Sequence, residues 1–193
     1  MMGVGKSTLG KITAQRLGLK FIDTDTNIEK KCSMKISEIF KKKGEDFFRL
    51  QEEKEVLESV KKNKCVIALG GGAFMNKKVR ETILKNSVSI WMDVSLKTLN
   101  KRIKWNKKRP LLKDENTEEK IKELYAERKN IYKLAKYKIN CNDMEKKEIV
   151  EKIITYYDVC THTEIVLMDL LNHIWIVYIG SRRPRFQLAG RIF

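Results

Sequence analysis

The first residues that could do chemistry form a glycine-rich turn in the opening sequence MMGVGKSTLG. Gly3 and Gly5 permit a backbone turn that points N–H groups at phosphate oxygens, and Lys6 can reach the terminal phosphates of a nucleotide. Ser7 can offer its hydroxyl to Mg²⁺ at the start of a helix. The full signature G-x-x-x-x-G-K-[ST] needs a glycine before Met1, so we expect a chain that is truncated at its start. The alternative is a chance glycine-rich beginning.

A second candidate group is the pair of carboxylates in FIDTD, directly after the apolar run KFID. Parallel sheets bind ligands at the carboxyl ends of their strands, so Asp23 and Asp25 could have two different roles in a binding site there. One would serve the magnesium shell, and the other would accept a hydroxyl proton. A D-x-D alone would be read as an exposed turn.

Three glycines, Gly70 to Gly72, follow the apolar run VIAL. Glycines at the end of a buried strand let the backbone approach a ligand closely, because no side chain stands in the way. A tight turn needs only one or two glycines. The triplet therefore favours a binding function over a simple turn.

Arginine is scarce in this lysine-rich chain, so its positions carry information. Of the 41 basic residues, ten are arginines, and only six of these precede Asp158. The guanidinium fork pairs with a carboxylate or phosphate through two hydrogen bonds, which lysine cannot do. A surface salt bridge explains any single arginine, but four together favour a binding role: Arg49, Arg102, Arg109 and Arg128.

The composition limits the class of protein. A net charge of +16 suits a phosphate-handling or nucleic-acid-binding protein, but no basic run is interleaved with aromatics, which favours a solvated basic surface. The four cysteines lack C-x-x-C spacing, and His162 and His173 fit no metal-ligand pattern. We expect a cytoplasmic protein with no metal cage, no signal peptide and no membrane span.

The elements that must position these residues alternate between short apolar runs and helix-period segments. This rhythm is typical of an α/β fold, in which helices cover a parallel sheet. Strands are predicted at 20–23, 65–69, 88–94 and 137–141, and helices at 6–17, 45–62, 117–136 and 143–157, with Thr117 and Asp143 as helix caps. We expect the polar segment 104–117, which contains RPLL, to form a mobile loop.

The composition changes near Asp158. No lysine follows Lys152, and the last segment carries both histidines and four of the arginines. We therefore expect a domain at 1–157 and a C-terminal tail of unknown origin at 158–193.

Taken in order, the blocks MGVGKSTLG, FIDTD, FFRLQEE, VIALGGGA, RPLL and ERKNIY resemble those of bacterial shikimate kinases over residues 1 to about 157. The phosphate loop is common to many kinases, and the other blocks are more specific. The resemblance implies a P-loop kinase fold of the nucleoside monophosphate kinase type. Its three layers contain a parallel sheet of order 2-3-1-4-5, of which this chain would lack the first strand.

The resemblance also implies ATP-dependent phosphorylation of the 3-hydroxyl of shikimate in the pathway to aromatic amino acids, with Mg²⁺ and a monomeric enzyme. Asp25 would accept the hydroxyl proton, and Arg109 in the closing lid would reach the transferring phosphate. Arg49 and Arg128 would bind the substrate carboxylate beside Gly70, Gly71 and Gly72. Nucleotide contacts would come from Gly3, Val4, Gly5, Lys6, Ser7, Thr8, Arg102 and Arg109, and the metal shell from Ser7 and Asp23.

Two departures and two alternatives accompany this resemblance. The loop NCNDMEKKE lacks the proline often found there in relatives, and the first strand is missing. A weaker hypothesis is that the apolar run HIWIVYIG of the tail takes the place of that strand. The alternatives are a related kinase for another hydroxy acid such as gluconate, and a non-catalytic nucleotide- or nucleic-acid-binding protein, whereas the favoured interpretation involves no nucleic acid.

Overall fold

The computed structural model describes residues 5–62, 64–99, 117–165 and 176–177. In this part of the chain, short parallel strands alternate with helices. The helices are α1 (Lys6–Arg16), α2 (Thr24–Cys32), α3 (Ile36–Ser59), α4 (Lys77–Asn86), α5 (Thr117–Tyr132) and α6 (Lys146–Ile165). The strands are β1 (Lys20–Asp23), β2 (Cys65–Ala68), β3 (Val88–Asp93), β4 (Tyr137–Asn140) and β5 (Ile176–Val177), and a 3₁₀ turn covers Ala73–Met75.

The strands pair in parallel. β1 pairs with β2 in a register that places Asp23 opposite Ala68, and β3 pairs with β4 so that Asp93 lies opposite Asn140. The carboxyl ends of β1 and β2 therefore lie side by side, and such sheets bind ligands beyond the carboxyl ends of their strands.

The short strand β5 from the C-terminal segment also joins the sheet. Ile176 lies opposite Val88 and Val177 opposite Ser89, in parallel register on the side of β3 away from β4. β5 also packs against β2. The spatial sequence of strands is thus β1, β2, β5, β3, β4, and β5 lies where the expected 2-3-1-4-5 order has its first strand.

The core has two halves, one on each side of the sheet, because successive strand residues face opposite ways. Val66 and Ile90 pack with Leu9 of α1 and Ile153 of α6. Their neighbours in the strands face α3, α4 and α5, in a second cluster that includes Val56, Ile67, Phe74, Ile83, Trp91 and Tyr132. Helices therefore cover both faces, as the predicted three-layer α/β architecture requires.

Most sequence-based element bounds agree with the structure, and the differences have physical causes. α2 was not predicted, because TDTNIEKKC is polar and shows little apolar periodicity. α3 begins at Ile36 rather than residue 45, and continues through Gly44, whose φ of 82° bends it. α5 ends at Tyr132, four residues earlier than predicted.

The last helix differs at both ends. Asp143 does not cap it, since its φ is 54°. The helix begins at Lys146, and the Glu145 N–H donates to Glu148 Oε2 at 2.7 Å. No glycine or proline interrupts residues 158–165, so α6 runs to Ile165, past both the predicted helix end and the expected domain boundary at 157.

Candidate active site

The described part of the phosphate-loop segment is a left-handed turn that leads into α1. Gly5 has a φ of 91°, which favours glycine, and it caps the helix that begins at Lys6. Ser7 and Thr8 lie in the first turn of this helix, where N–H groups lack partners within the helix. This helix N-terminus has the geometry and the partial charge that suit a phosphate.

A hydrogen bond joins this turn to the end of β1. The Ser7 hydroxyl donates to Asp23 Oδ2 at 2.5 Å, while Asp23 Oδ1 accepts from the Thr26 N–H at 3.2 Å and so caps α2. A hydroxyl and a carboxylate oxygen therefore lie together at the N-terminal end of α1. Hard oxygen ligands of this kind fit Mg²⁺, which keeps several waters and substrate phosphates as its remaining ligands.

Thr24 fastens β1 to the glycine turn after β2. Its buried hydroxyl donates to Ala68 O at 3.2 Å and accepts from the Gly70 N–H at 3.1 Å. Both hydrogen bonds link segments that are more than forty residues apart in the chain. This contact fixes the position of the turn relative to Asp25, the next residue of α2.

Two carboxylates converge on that glycine turn. A Cβ on Gly70 would lie 2.6 Å from Asp25 Oδ1 and would overlap Glu52 Oε1. Glu52 is almost fully buried, with 3% of its surface exposed. Only glycine can therefore occupy position 70 without displacing the acidic groups.

Arg49 of α3 lies against the same turn. Its Nη1 donates to Glu52 Oε2 at 2.8 Å, and its Nε and Nη2 donate to Glu45 Oε1 at 3.0 and 2.8 Å. A Cβ on Gly72 would overlap Arg49 Nη1. The guanidinium is thus held between two carboxylates and faces a surface made of backbone.

Arg128 and Tyr132 approach the turn from α5. Arg128 Nη1 donates to Gly71 O at 3.2 Å, and the Tyr132 hydroxyl donates to the same oxygen. Arg128 Nε is buried and has no hydrogen-bond partner among the described residues. A buried donor without an acceptor is costly, and an anionic ligand would satisfy it.

The charges in this cluster influence one another. Burial raises the pKa of Glu52, as does the nearby charge of Asp25, while the guanidinium groups of Arg49 and Arg128 act in the opposite direction. Burial also raises the pKa of Tyr132, so its hydroxyl remains a donor. The cluster combines two guanidinium groups, two carboxylates and backbone without side chains, which suits a small ligand with an acidic group and a hydroxyl.

The structure brings together most of the predicted site residues that it describes. Asp25, Arg49 and Arg128 meet at Gly70–Gly72, and Ser7 meets Asp23 next to them. Gly3, Val4, Arg102, Arg109 and most of the expected lid at 104–117 lie outside the described residues, so their roles stay predictions.

Sequence reasoning missed three contributors: Thr24, Glu52 and Tyr132. Glu52 follows Arg49 by three residues and Tyr132 follows Arg128 by four, spacings that place each pair on one face of a helix. That spacing was the available signal. Within the described ranges, no group of three or more His, Cys, Asp or Glu residues could hold a metal, and no helix is long and apolar enough to cross a membrane.

A parallel sheet between helical layers, with a phosphate-binding turn beside a carboxylate and an arginine cluster, defines a P-loop kinase for a small acid. A family model described as shikimate kinase matches residues 2–158. The chain belongs to the shikimate kinase family.

Individual relatives agree with this assignment. The shikimate kinase of Sulfurihydrogenibium sp. is 46% identical over 154 residues, which cover 80% of this chain and 92% of the relative. That of Thermoanaerobacter pseudethanolicus is 40% identical over 156 residues, 81% and 91% of the two chains. The structure of the Acinetobacter baumannii enzyme in complex with shikimate superposes with a TM-score of 0.77 at 32% identity, covering 83% of this chain and 89% of that one.

Proposed function

We propose that this chain transfers the γ-phosphoryl group of ATP to the 3-hydroxyl of shikimate, yielding shikimate 3-phosphate and ADP. This step belongs to the route to chorismate and the aromatic amino acids. The observation that carries the proposal is the convergence of Arg49, Arg128 and Asp25 on the glycine turn next to the Ser7–Asp23 pair. Membership of the family supports the choice of substrate.

Recognition of the acid falls to the two arginines. The buried Arg128 Nε lacks an acceptor among the described residues, and Arg49 is oriented by Glu45 and Glu52. A carboxylate placed between them would accept paired hydrogen bonds and neutralise the positive charge. The Gly71 backbone contacts the ring of the substrate, since no side chain blocks the approach.

Asp25 receives the proton. It lies in the first turn of α2, near the glycine turn and next to Thr24. Its carboxylate orients the 3-hydroxyl and accepts its proton as the oxygen attacks the γ-phosphorus and the bond to the β-phosphate oxygen breaks. Phosphoryl transfer needs such positioning more than covalent chemistry from the protein.

The nucleotide end is formed by the turn before α1. Lys6 and the amides of this turn would bind the β- and γ-phosphates, and the contacts predicted for Gly3, Val4, Gly5 and Thr8 belong to the same proposal. Ser7 and, through water, Asp23 would hold Mg²⁺, which would supply positive charge to the phosphate oxygens when bound. The roles predicted for Arg109 at the transferring phosphate and for Arg102 near the adenine complete this proposal.

The wider assignment is a monomeric cytoplasmic enzyme that binds neither nucleic acid nor membrane. Two observations favour it. Cys32, Cys65 and Cys160 form no disulfide with another described residue, as expected in a reducing compartment. Many lysines lie within reach of glutamates, as between Lys31 and Glu58 at 2.5 Å, which fits a solvated charged surface.

The test is ADP release by the purified chain with Mg²⁺-ATP and either shikimate or gluconate. We expect ADP release with shikimate only, and Asp25→Asn should lower kcat by about 10²- to 10⁴-fold. Gluconate-dependent turnover would favour the related kinase. Salt-sensitive retention on DNA without any turnover would favour the nucleic-acid-binding alternative.

A further inference from the structure

The carbonyl of Gly71 accepts hydrogen bonds from two side chains of one helix. The Tyr132 hydroxyl and Arg128 Nη1 both donate to it, from positions four residues apart on α5. Gly71 lies between two other glycines, so its own sequence gives the backbone little preference for one conformation. Contacts from elsewhere must therefore hold this peptide in place.

The two donors are anchored differently. The ring of Tyr132 packs edge-on to Trp91 and tilted to Phe74, with both centroid distances at 6.3 Å, and only 7% of the residue is exposed. Packed rings of this kind have little rotational freedom. Arg128 in contrast is only half-buried and retains a buried Nε without an acceptor among the described residues.

This difference matters when an acid binds. A carboxylate can pair with Nε and one Nη of Arg128, and a guanidinium that reorients to make this pair withdraws Nη1 from the Gly71 carbonyl. The Gly71 carbonyl would then depend on its second donor. A partly buried carbonyl that loses its donors is costly, and a three-glycine turn can move to avoid that cost.

We propose that Tyr132 is a positioning residue that holds the Gly71 carbonyl in place while Arg128 turns to the carboxylate of the substrate. The Gly71 peptide then presents the same face to the substrate before and after binding. The inference has two parts. Its substrate half, that Tyr132 supports binding of the substrate carboxylate, rests on the proposed function. Its structural half, that Tyr132 holds the Gly71 carbonyl in the free protein, rests only on the contact between these two residues.

The experiment compares Tyr132→Phe with Tyr125→Phe. Tyr125 lies two turns earlier on α5 and donates to Asp93 Oδ1 at 3.2 Å, so its variant also removes one tyrosine hydroxyl bond. Each variant keeps its ring. Three readouts are taken: the backbone chemical shifts of Gly71 in the free protein, the KM values for shikimate and ATP, and the Tm.

We expect Tyr132→Phe to move the Gly71 carbonyl shift and to raise the shikimate KM by about 5- to 30-fold. The ATP KM should stay within about twofold, and Tyr125→Phe should leave the Gly71 shift and both KM values unchanged. Unchanged Gly71 shifts in Tyr132→Phe would overturn the inference. So would an equal rise of both KM values, which indicates a general loss of structure.

The two proposals fail in different ways. A wild-type chain without shikimate-dependent ADP release overturns the proposed function and, with it, the substrate half of this inference. The Gly71 shift in the free protein still decides the structural half. An active wild type whose shikimate KM is unaffected by Tyr132→Phe overturns the inference and leaves the proposed function standing.

Discussion

At the scale of single residues, the site is a balance of opposite charges, most of them partly buried, around a stretch of backbone without side chains. Arg49 and Arg128 face Glu52 and Asp25, and each charge is expensive to bury unless its partner is present. Arginine provides planar paired donors that lysine lacks. This explains why arginines occupy these positions in a chain that otherwise uses lysine.

The first prediction concerns the fork of Arg49. Arg49→Lys keeps the charge and loses the paired geometry, so we expect the shikimate KM to rise by about 10- to 100-fold while the ATP KM changes little. Steady-state ADP release measures both constants.

Arg80→Lys is the matched control. Arg80 donates to Phe74 O and Met75 O at 3.1 and 2.9 Å, outside the proposed substrate site, and its variant should leave the shikimate KM unchanged. Equal effects of the two variants would contradict a specific role for Arg49.

The second prediction concerns the pH dependence of stability. Burial raises the pKa of Glu52 above its ordinary value of 4.5. At a pH between the unfolded and the folded pKa, Glu52 is therefore protonated in the folded protein and ionised in the unfolded chain. The contribution of Glu52 to stability is therefore full below pH 4.5 and is lost as the pH rises through the folded pKa. We expect the free energy of unfolding of the wild type, relative to Glu52→Gln, to fall as the pH rises above 4.5.

The neighbouring Glu53 gives a control of opposite sign. Its hydrogen bond from Lys78, with help from Asn76, lowers the pKa of Glu53 below 4.5. Relative to Glu53→Gln, the wild type should lose stability as the pH falls below 4.5. Urea denaturation across this pH range measures both differences, and the same slope for both pairs would refute the assignment of the Glu52 shift.

At the scale of elements, strands were predicted better than polar helices. CVIA and VSIWMD are rich in β-branched and apolar residues, so their composition predicts buried strands. The predicted bounds of both strands agree with the structure to within one residue. The helix α2 is nearly all polar and owes its start to the Asp23 cap. Helical spacing could place Glu52 beside Arg49 and Tyr132 beside Arg128. Their contacts with Gly70 and Gly71 could not be predicted, because those glycines come from a distant part of the chain.

The third prediction tests the close approach of α3 to the glycine turn. Gly72 has a φ of −93°, which alanine adopts without strain, so Gly72→Ala adds only a methyl group against Arg49 Nη1. We expect about a tenfold rise in the shikimate KM with little change in Tm, because only the guanidinium must move.

A double-mutant cycle provides the control for this variant. Once Arg49 is replaced by alanine, adding Gly72→Ala should have almost no further effect on the shikimate KM. Additive effects of the two changes would show that Gly72 acts independently of Arg49.

At the scale of the whole molecule, the C-terminal segment contributes to the central sheet. β5 pairs with the edge of β3 that would otherwise lie unpaired and packs against β2, between the two hydrogen-bonded parts of the sheet. The segment whose composition differs most from the rest thus takes a central place in the fold. The assignment of 158–193 as a C-terminal tail of unknown origin stays a prediction.

The fourth prediction follows from that placement. Deleting residues 166–193 should lower the Tm by about 5 °C or more, because each kcal/mol lost in a chain of this size shifts Tm by about 2–4 °C. Deleting residues 181–193 alone keeps β5 and should have a much smaller effect. Equal melting temperatures of the full chain and the longer deletion would contradict a structural role for β5.

The most direct test of the whole account compares shikimate with its neutral methyl ester as phosphate acceptors. If guanidinium groups from α3 and α5 converge on the carboxylate, the wild type should favour the acid in kcat/KM by about 100-fold or more. The double variant Arg49→Ala, Arg128→Ala should lose most of this preference. A wild type that accepts both compounds equally, or a double variant that still discriminates fully, would contradict the account.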